Sequence, residues 1–192
     1  KELEKDNSKP TNVLIEGDNY HALSVLNYTH NEKIDLIYID PPYNTGSEGF
    51  MYNDKIVNRE DSYRHSKWIN FMDKRLRLAK NLLKKDGVIL INIDDNEIAQ
   101  LKLLCDEVFG EDYFRNTVVW SYRTGGAPHK NDAFSRKHDY ILFYSRSKEY
   151  FFNSFKEKIP YEKDFFGAKK DEHGKFYADV NLRDVVEGDI IL

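Results

Sequence analysis

The chain has 192 residues, of which 40% are hydrophobic and 32% are charged, with a net charge of −4. This balance is typical of a globular protein with its own core. No apolar run approaches the ~20 residues that a membrane-spanning helix needs, and a single cysteine excludes an internal disulfide framework. We therefore expect a cytoplasmic protein with no membrane partner. The six histidines lack neighbours at metal-ligand spacing, so no metal site is expected.

The first predicted elements are a short strand at residues 13–15 and a helix that begins after Asp18. Asp18 is expected to cap this helix, because a carboxylate there can accept a hydrogen bond from a free backbone N–H of the first turn. The helix would present Ala22, Leu23 and Leu26 on one face.

The next predicted strand leads into the most informative segment of the chain. Residues 36–39 are bulky and β-prone, as expected of a strand buried on both faces of a parallel sheet. Pro41 and Pro42 cannot continue a central strand, because proline has no N–H and a fixed φ. The chain must therefore leave the sheet at Asp40, at the carboxyl end of a strand, where open α/β sheets bind ligands.

A polar loop over residues 44–66 precedes a second helix, which the spacing of apolar residues from Trp68 to Leu83 predicts. Gly87 is expected to stop this helix. A buried strand is predicted at residues 88–93.

A third helix is predicted after this strand, capped by Asp95 and closed by Gly110. Later strands are predicted at residues 117–120 and 140–144. The alternation of strands and helices is typical of a doubly wound α/β fold. Charge pairs dominate after about residue 152, so we expect one region over residues 1–152 and the start of a second region over residues 153–192.

The turn at Asp40 carries groups that suit a flat ring with an amine. Such an amine is a poor nucleophile, because its lone pair is delocalised into the ring. The Asp40 carboxylate and the Pro41 carbonyl are two acceptors that could draw its N–H bonds until the nitrogen becomes tetrahedral, while Tyr43 stacks on the ring. A base in duplex DNA would first have to flip out of its stack. Trp120 is a candidate for the second wall of the pocket that would hold the flipped base, opposite Tyr43.

Basic side chains are concentrated between residues 115 and 148. Only Asp132 and Asp139 oppose them there, and segregated charge of this kind favours contact with a phosphate backbone. A solvated basic loop is the alternative. The residues expected to contact DNA are Arg123, Lys130, Arg136 and Lys137.

These residues also carry a family resemblance. Asp40-Pro41-Pro42-Tyr43 matches the D-P-P-Y motif of S-adenosylmethionine-dependent DNA amino-methyltransferases, and the run over residues 39–46 resembles the adenine methyltransferases of type III restriction–modification systems. Further matches are Gly17-Asp18-Asn19, Trp68, Phe71-Met72, Arg75-Leu76, residues 93–97 and residues 138–142.

The resemblance implies a Rossmann-like methyltransferase fold, incomplete in this chain, and methyl transfer to the exocyclic amine of a flipped adenine. It implies S-adenosylmethionine as cofactor, with double-stranded DNA, a second copy of the intact protein and a nuclease-bearing restriction subunit as partners. Carried over by position, the catalytic residues are Asp40, Pro41, Pro42 and Tyr43, and the cofactor residues are Asp18, Asn19 and Asp40. Tyr43 and Asn44 of the turn are expected to contact the DNA, together with Trp120 and the four basic residues singled out above. The resemblance makes residues 1–152 the catalytic region and residues 153–192 the start of a target-recognition region.

One departure from the family is the absence of its Phe-x-Gly-x-Gly cofactor motif. We therefore expect the catalytic part of a longer protein. Methylation of the exocyclic amine of cytosine and a non-catalytic DNA-recognition module stay open as alternatives. Asp94, Asp95 and Glu97 are expected to cap a helix and pair with its dipole rather than bind metal. Cys105 is expected in the core, which argues against cysteine-dependent methylation of cytosine carbon-5.

Overall fold

A computed structural model describes residues 12–46, 51–52, 55–122, 134–164 and 167–188. Three α-helices and ten strands lie in these ranges. In chain order they are α1 (Asn19–Thr29), β1 (Ile34–Ile39), β2 (Met51–Tyr52), β3 (Lys55–Ile56), α2 (Arg64–Leu82), β4 (Leu83–Ile93), α3 (Ile98–Phe109), a 3-10 turn (Glu111–Tyr113), β5 (Phe114–Tyr122), β6 (His138–Ser145), β7 (Lys156–Tyr161), β8 (Lys169–Lys170), β9 (Phe176–Asn181) and β10 (Val185–Gly188).

The main sheet has five strands in the order β1-β4-β6-β5-β10. β1 and β4 are parallel, β6 runs antiparallel to both β4 and β5, and β10 runs parallel to β5. The carboxyl ends of β1, β4 and β5 therefore lie at one edge of the sheet, together with the amino end of β6. A separate antiparallel sheet has the order β7-β9-β8.

The core lies on one face of the sheet, where α2 and α3 pack against each other. Alternate residues of β4 point into it, as the two-residue period of a strand requires. Trp68 from α2 is completely buried there. The largest fully buried apolar side chains also include Met72, Leu76, Ile89, Ile91, Ile93, Leu101, Leu142 and Tyr144.

The opposite face of β1 is open, so the prediction of a strand buried on both faces is wrong for β1. Leu36 and Tyr38 are 53% and 55% exposed, whereas Ile37 and Ile39 pack against the core. No described element covers Leu36 and Tyr38.

Two predicted helix ends are confirmed. The Asp18 carboxylate accepts a hydrogen bond from the Tyr20 backbone N–H at 2.8 Å, at the head of α1. Gly110 follows α3 with φ 107°, a conformation that favours glycine. Cys105 is buried in the core, as predicted.

Three other boundaries differ from prediction. Residues 13–15 form no strand, because none of the described strands pairs with them. Gly87 lies within β4 rather than after a helix, since Leu83 is already extended and pairs with Ile34. Asp95 does not cap α3, which begins at Ile98, because its carboxylate accepts the Tyr140 hydroxyl instead.

Within the ranges described above, no helix is long and apolar enough to cross a membrane. The same ranges hold no group of three or more histidine, cysteine or acidic side chains arranged to bind a metal ion.

Candidate active site

The segment Asp40–Asn44 leaves the sheet at the carboxyl end of β1 and is anchored to α2. The Trp68 indole N–H donates to the Pro42 carbonyl at 2.6 Å. Two residues on, the Asn44 amide donates to the Arg64 carbonyl at 3.3 Å. Two prolines already make this turn stiff. The hydrogen bonds that join it to the first turns of α2 restrict it further.

Asp40 and Tyr43 lie together on this turn. Asp40 is exposed, so its carboxylate is accessible to a ligand, while the half-buried Tyr43 ring packs against the core. Burial and the neighbouring Asp40 carboxylate raise the pKa of Tyr43. The tyrosine therefore stays neutral beside Asp40.

Further carboxylates gather at the same edge of the sheet. Asp94, at the end of β4, is 2% exposed and accepts the Asn96 backbone N–H at 2.9 Å. Asp139, near the start of β6, accepts the Tyr122 hydroxyl. Burial raises the pKa of Asp139 to about 6, and the charges of Asp94, Asp40 and Asp95 add to the shift. Acidic side chains are therefore concentrated at this edge of the sheet.

This shift predicts a pH-dependent stability. The folded pKa of Asp139, about 6, exceeds its ordinary value of 3.8, so between about pH 4 and 6 the folded state binds more protons than the unfolded state. The contribution of Asp139 to the free energy of unfolding therefore decreases as pH rises through that window. Asp139→Asn should raise the melting temperature of the full-length protein at pH 8 and leave it close to wild type at pH 4.5.

Thermal unfolding followed by circular dichroism at the two pH values measures the effect. Asp35→Asn, which changes an exposed carboxylate at the other end of β1, is the control and should show no comparable gain at pH 8. A lower melting temperature for Asp139→Asn at pH 8 would contradict the account.

Trp120 lies beside this cluster. It is half-buried on β5 and directly opposite Asp139 on β6. Directly opposite residues of an antiparallel pair share a face, so Trp120 and Asp139 lie on the same face of the sheet. The structure thus places the predicted second wall next to the carboxylates around Asp40, and its contact with a base stays a prediction.

Of the basic residues predicted to contact DNA, Arg136 is the one whose side-chain partners are defined. Its guanidinium lies 3.4 Å from both Asp94 and Asp95, bridging the two carboxylates. Lys137 directly precedes β6, and its carbonyl accepts the Tyr122 backbone N–H. Arg123 and Lys130 lie outside the described residues.

The two residues predicted to contact the cofactor meet at the head of α1. Arg75 of α2 reaches both of them, at 3.2 Å from Asp18 and 2.5 Å from Asn19. Its guanidinium also lies over the Phe71 ring, 3.6 Å from the centroid. This arrangement ties the start of α1 to α2 while the Asp18 side chain stays half exposed.

Sequence reasoning missed a buried polar group beneath the turn. Glu97 sits at the position before α3, where a cap was predicted, but its side chain makes no capping hydrogen bond. Its Oε1 instead accepts the Asn44 amide at 2.5 Å and lies 2.6 Å from His65 Nδ1. Asn44 is 2% exposed, so this placement suits support of the turn better than the predicted contact with DNA. The only signal in the sequence is a carboxylate next to a buried strand end.

Comparison with known proteins shows the family to which this chain belongs. A family model described as DNA methylase matches residues 34–187. The chain belongs to this DNA methylase family. It is 36% identical to the EcoP15I Mod subunit of Escherichia coli, a type III restriction–modification enzyme, over 81% of the chain and 27% of that relative. It is 41% identical to the EcoPI Mod subunit of Escherichia phage P1, over 76% of the chain and 26% of that relative.

This DNA methylase chain thus spans about a quarter of the length of these two relatives. Among solved structures, the PvuII DNA methyltransferase, which is cytosine-N4-specific, matches with a TM-score of 0.56 at 12% identity, over 90% of this chain and 55% of that one. At such low identity the match shows the fold alone. The predicted methyltransferase fold and the predicted resemblance to type III modification subunits are confirmed.

Proposed function

We propose that the intact protein is a DNA adenine methyltransferase of a type III restriction–modification system and that its target base binds at the Asp40–Tyr43 turn. One observation carries this proposal. An exposed Asp40 carboxylate stands at the carboxyl end of a parallel strand, beside Tyr43, on a turn that Trp68 holds by a hydrogen bond to the Pro42 carbonyl. The similarity to the Mod subunits favours adenine over cytosine as the base.

Asp40 and the Pro41 carbonyl act as acceptors for the two N–H bonds of the base amine. Drawing these protons out of the ring plane localises the nitrogen lone pair, and stacking on Tyr43 holds the base at this position. S-adenosylmethionine, when bound, supplies a methyl group on a positively charged sulfur. Methylation would place a positive charge on the amine nitrogen, while the demethylated donor would leave as a neutral thioether. The Asp40 carboxylate would stabilise the positive nitrogen and accept one amine proton.

The charges at this edge suit a cationic methyl donor. Asp40, Asp94 and Asp95 lie close enough to Asp139 to add to the rise in its pKa that burial causes, and a group of carboxylates of this kind favours a positive group nearby. Asp40 would lie near the positive sulfur. Asp18 and Asn19, held at the head of α1 by Arg75, would contact the nucleoside end of the cofactor.

The DNA contacts extend from the same edge. In this proposal Trp120 forms the second wall for the flipped base, and Arg123, Lys130, Arg136 and Lys137 contact phosphates. The β7-β9-β8 sheet would begin the target-recognition region, whereas β10, which also lies within residues 153–192, pairs with β5 at the edge of the main sheet. The intact protein would work in the bacterial cytoplasm as a dimer with a restriction subunit.

Tritiated methyl transfer to unmethylated bacterial DNA, followed by digestion to nucleosides, tests this function in the full-length protein. We expect the label in N6-methyldeoxyadenosine. Label in N4-methyldeoxycytidine would move the assignment to the cytosine amine, because the same two acceptors can hold either ring. Intact DNA binding without any transfer would replace the proposal with a non-catalytic recognition module.

A further inference from the structure

A buried carboxylate lies directly beneath the catalytic turn. Glu97 is fully buried and donors from two other elements converge on its Oε1, the Asn44 amide from the turn and the His65 ring from α2. We propose that Glu97 is a positioning residue for methyl transfer, which acts through Asn44 to hold Asp40 and Tyr43 in the geometry that the base requires. This inference rests on the proposed function.

Asn44 connects Glu97 to the catalytic turn. Its backbone has φ 55°, a left-handed conformation that few residues other than glycine adopt and in which asparagine is enriched. The two hydrogen atoms of its amide go to Glu97 and to the Arg64 carbonyl. The amide is therefore held between the head of α3 and the first turn of α2, and the peptide that joins it to Tyr43 is fixed with it.

Stability alone does not account for a charge at this position. A buried carboxylate is unfavourable unless it is well paired, and replacement of buried ion pairs by apolar side chains is often neutral or stabilising. Here pairing is incomplete, since Glu97 Oε2 and Asn44 Oδ1 have no hydrogen-bond partner in the described part of the chain. What the carboxylate does provide is one acceptor that joins the turn to both helices.

Loss of this link would act on catalysis by displacing the turn. Misplacement of a reacting group by about 1 Å can lower a rate by about 10²-fold. Glu97→Ala in the full-length protein should therefore lower kcat by about 30- to 100-fold and change the DNA dissociation constant by less than about threefold. Glu97→Gln, which keeps an acceptor for the Asn44 amide, should retain at least about a third of wild-type kcat.

A double-mutant cycle tests whether Glu97 acts through Asn44. If it does, Asn44→Ala should lower kcat about as much as Glu97→Ala, and the double variant should be no worse than either single one. If the fold-decreases in kcat of the two single variants multiply in the double variant, the proposal is overturned. Wild-type kcat in Glu97→Ala would also overturn it.

Asp106→Ala provides the matched control. Asp106 is also a carboxylate of the α3 region that accepts hydrogen bonds, here from the Tyr144 hydroxyl and Lys102. Its loss should lower the melting temperature but leave kcat unchanged. An equal fall in kcat would show that general destabilisation explains the Glu97 result.

If Glu97→Ala fails to fold, Glu97→Asp replaces it, because the shorter aspartate side chain cannot reach Asn44. Equal kcat for the Asp and Gln variants would then overturn the proposal.

Hydrogen exchange of the backbone amides over residues 40–46 gives a readout that is independent of activity. Glu97→Ala should speed exchange there, and Asp106→Ala should not. Unchanged exchange in Glu97→Ala would overturn the proposal. A wild-type protein that transfers no methyl group would refute the proposed function, whereas an active wild type with a normal Glu97→Ala variant would refute only the role of Glu97.

Discussion

Replacement of Asp40 by alanine in the full-length protein is expected to lower kcat for methyl transfer by at least about 10³-fold. Asp40 is the exposed acceptor at the end of β1, and its charge meets the positive charge that develops on the amine nitrogen. Removal of one group aimed at a developing charge typically lowers a rate by about 10²–10³-fold. Removal of the nearest proton acceptor lowers it further.

DNA binding should change little in this variant, because phosphate contacts supply most of the affinity. Single-turnover transfer assays and DNA titrations at fixed salt separate the two effects. The matched control is Asp35→Ala, which removes an exposed carboxylate at the start of the same strand and should keep wild-type transfer. Wild-type turnover by Asp40→Ala would remove Asp40 from the mechanism.

The second large effect is expected at Tyr43, where the ring and the hydroxyl have separable roles. Tyr43→Ala removes the proposed stacking surface, and stacking on an aromatic side chain contributes about 1–3 kcal/mol per base. Binding of the flipped base should therefore weaken about 5- to 150-fold. The variant should also unfold more easily, because the Tyr43 ring packs against the core.

Tyr43→Phe keeps the ring and loses only the hydroxyl, which lies near Asp40. Even a well-formed hydrogen bond of this hydroxyl would contribute only about 0.5–1.5 kcal/mol, so we expect activity to fall by no more than about 2- to 13-fold. Fluorescence of 2-aminopurine at the target position reports base flipping in both variants, and Tyr38→Ala, an exposed tyrosine of β1, is the control. An inactive but folded Phe variant, or normal flipping by the Ala variant, would contradict the stacking role.

The parts of the site that follow from local sequence were predicted correctly. The turn at Asp40 follows from two prolines after an apolar strand, and the Asp18 cap follows from a carboxylate just before an amphipathic helix. Both depend on residues within a few positions of each other, which is the range in which propensity and periodicity carry information.

The remaining parts depend on residues far apart in the sequence. The Asn44–Glu97 hydrogen bond joins positions 53 residues apart, and the Trp68–Pro42 bond joins positions 26 apart. Sequence periodicity cannot show which buried side chain meets which turn. The failed strand at residues 13–15 has a related cause, since an apolar β-prone segment forms a strand only where a neighbour offers its backbone groups.

The proposed role of the Asp40–Tyr43 turn is to hold adenine of DNA for methylation. The most direct test is sequencing of modified bases in genomic DNA from a methylation-deficient bacterial host that expresses the full-length protein or its Asp40→Ala variant. We expect N6-methyladenine at one defined sequence with the wild type and none with the variant. Methylation that persists in the variant, or a wild type that modifies no adenine, would contradict this role.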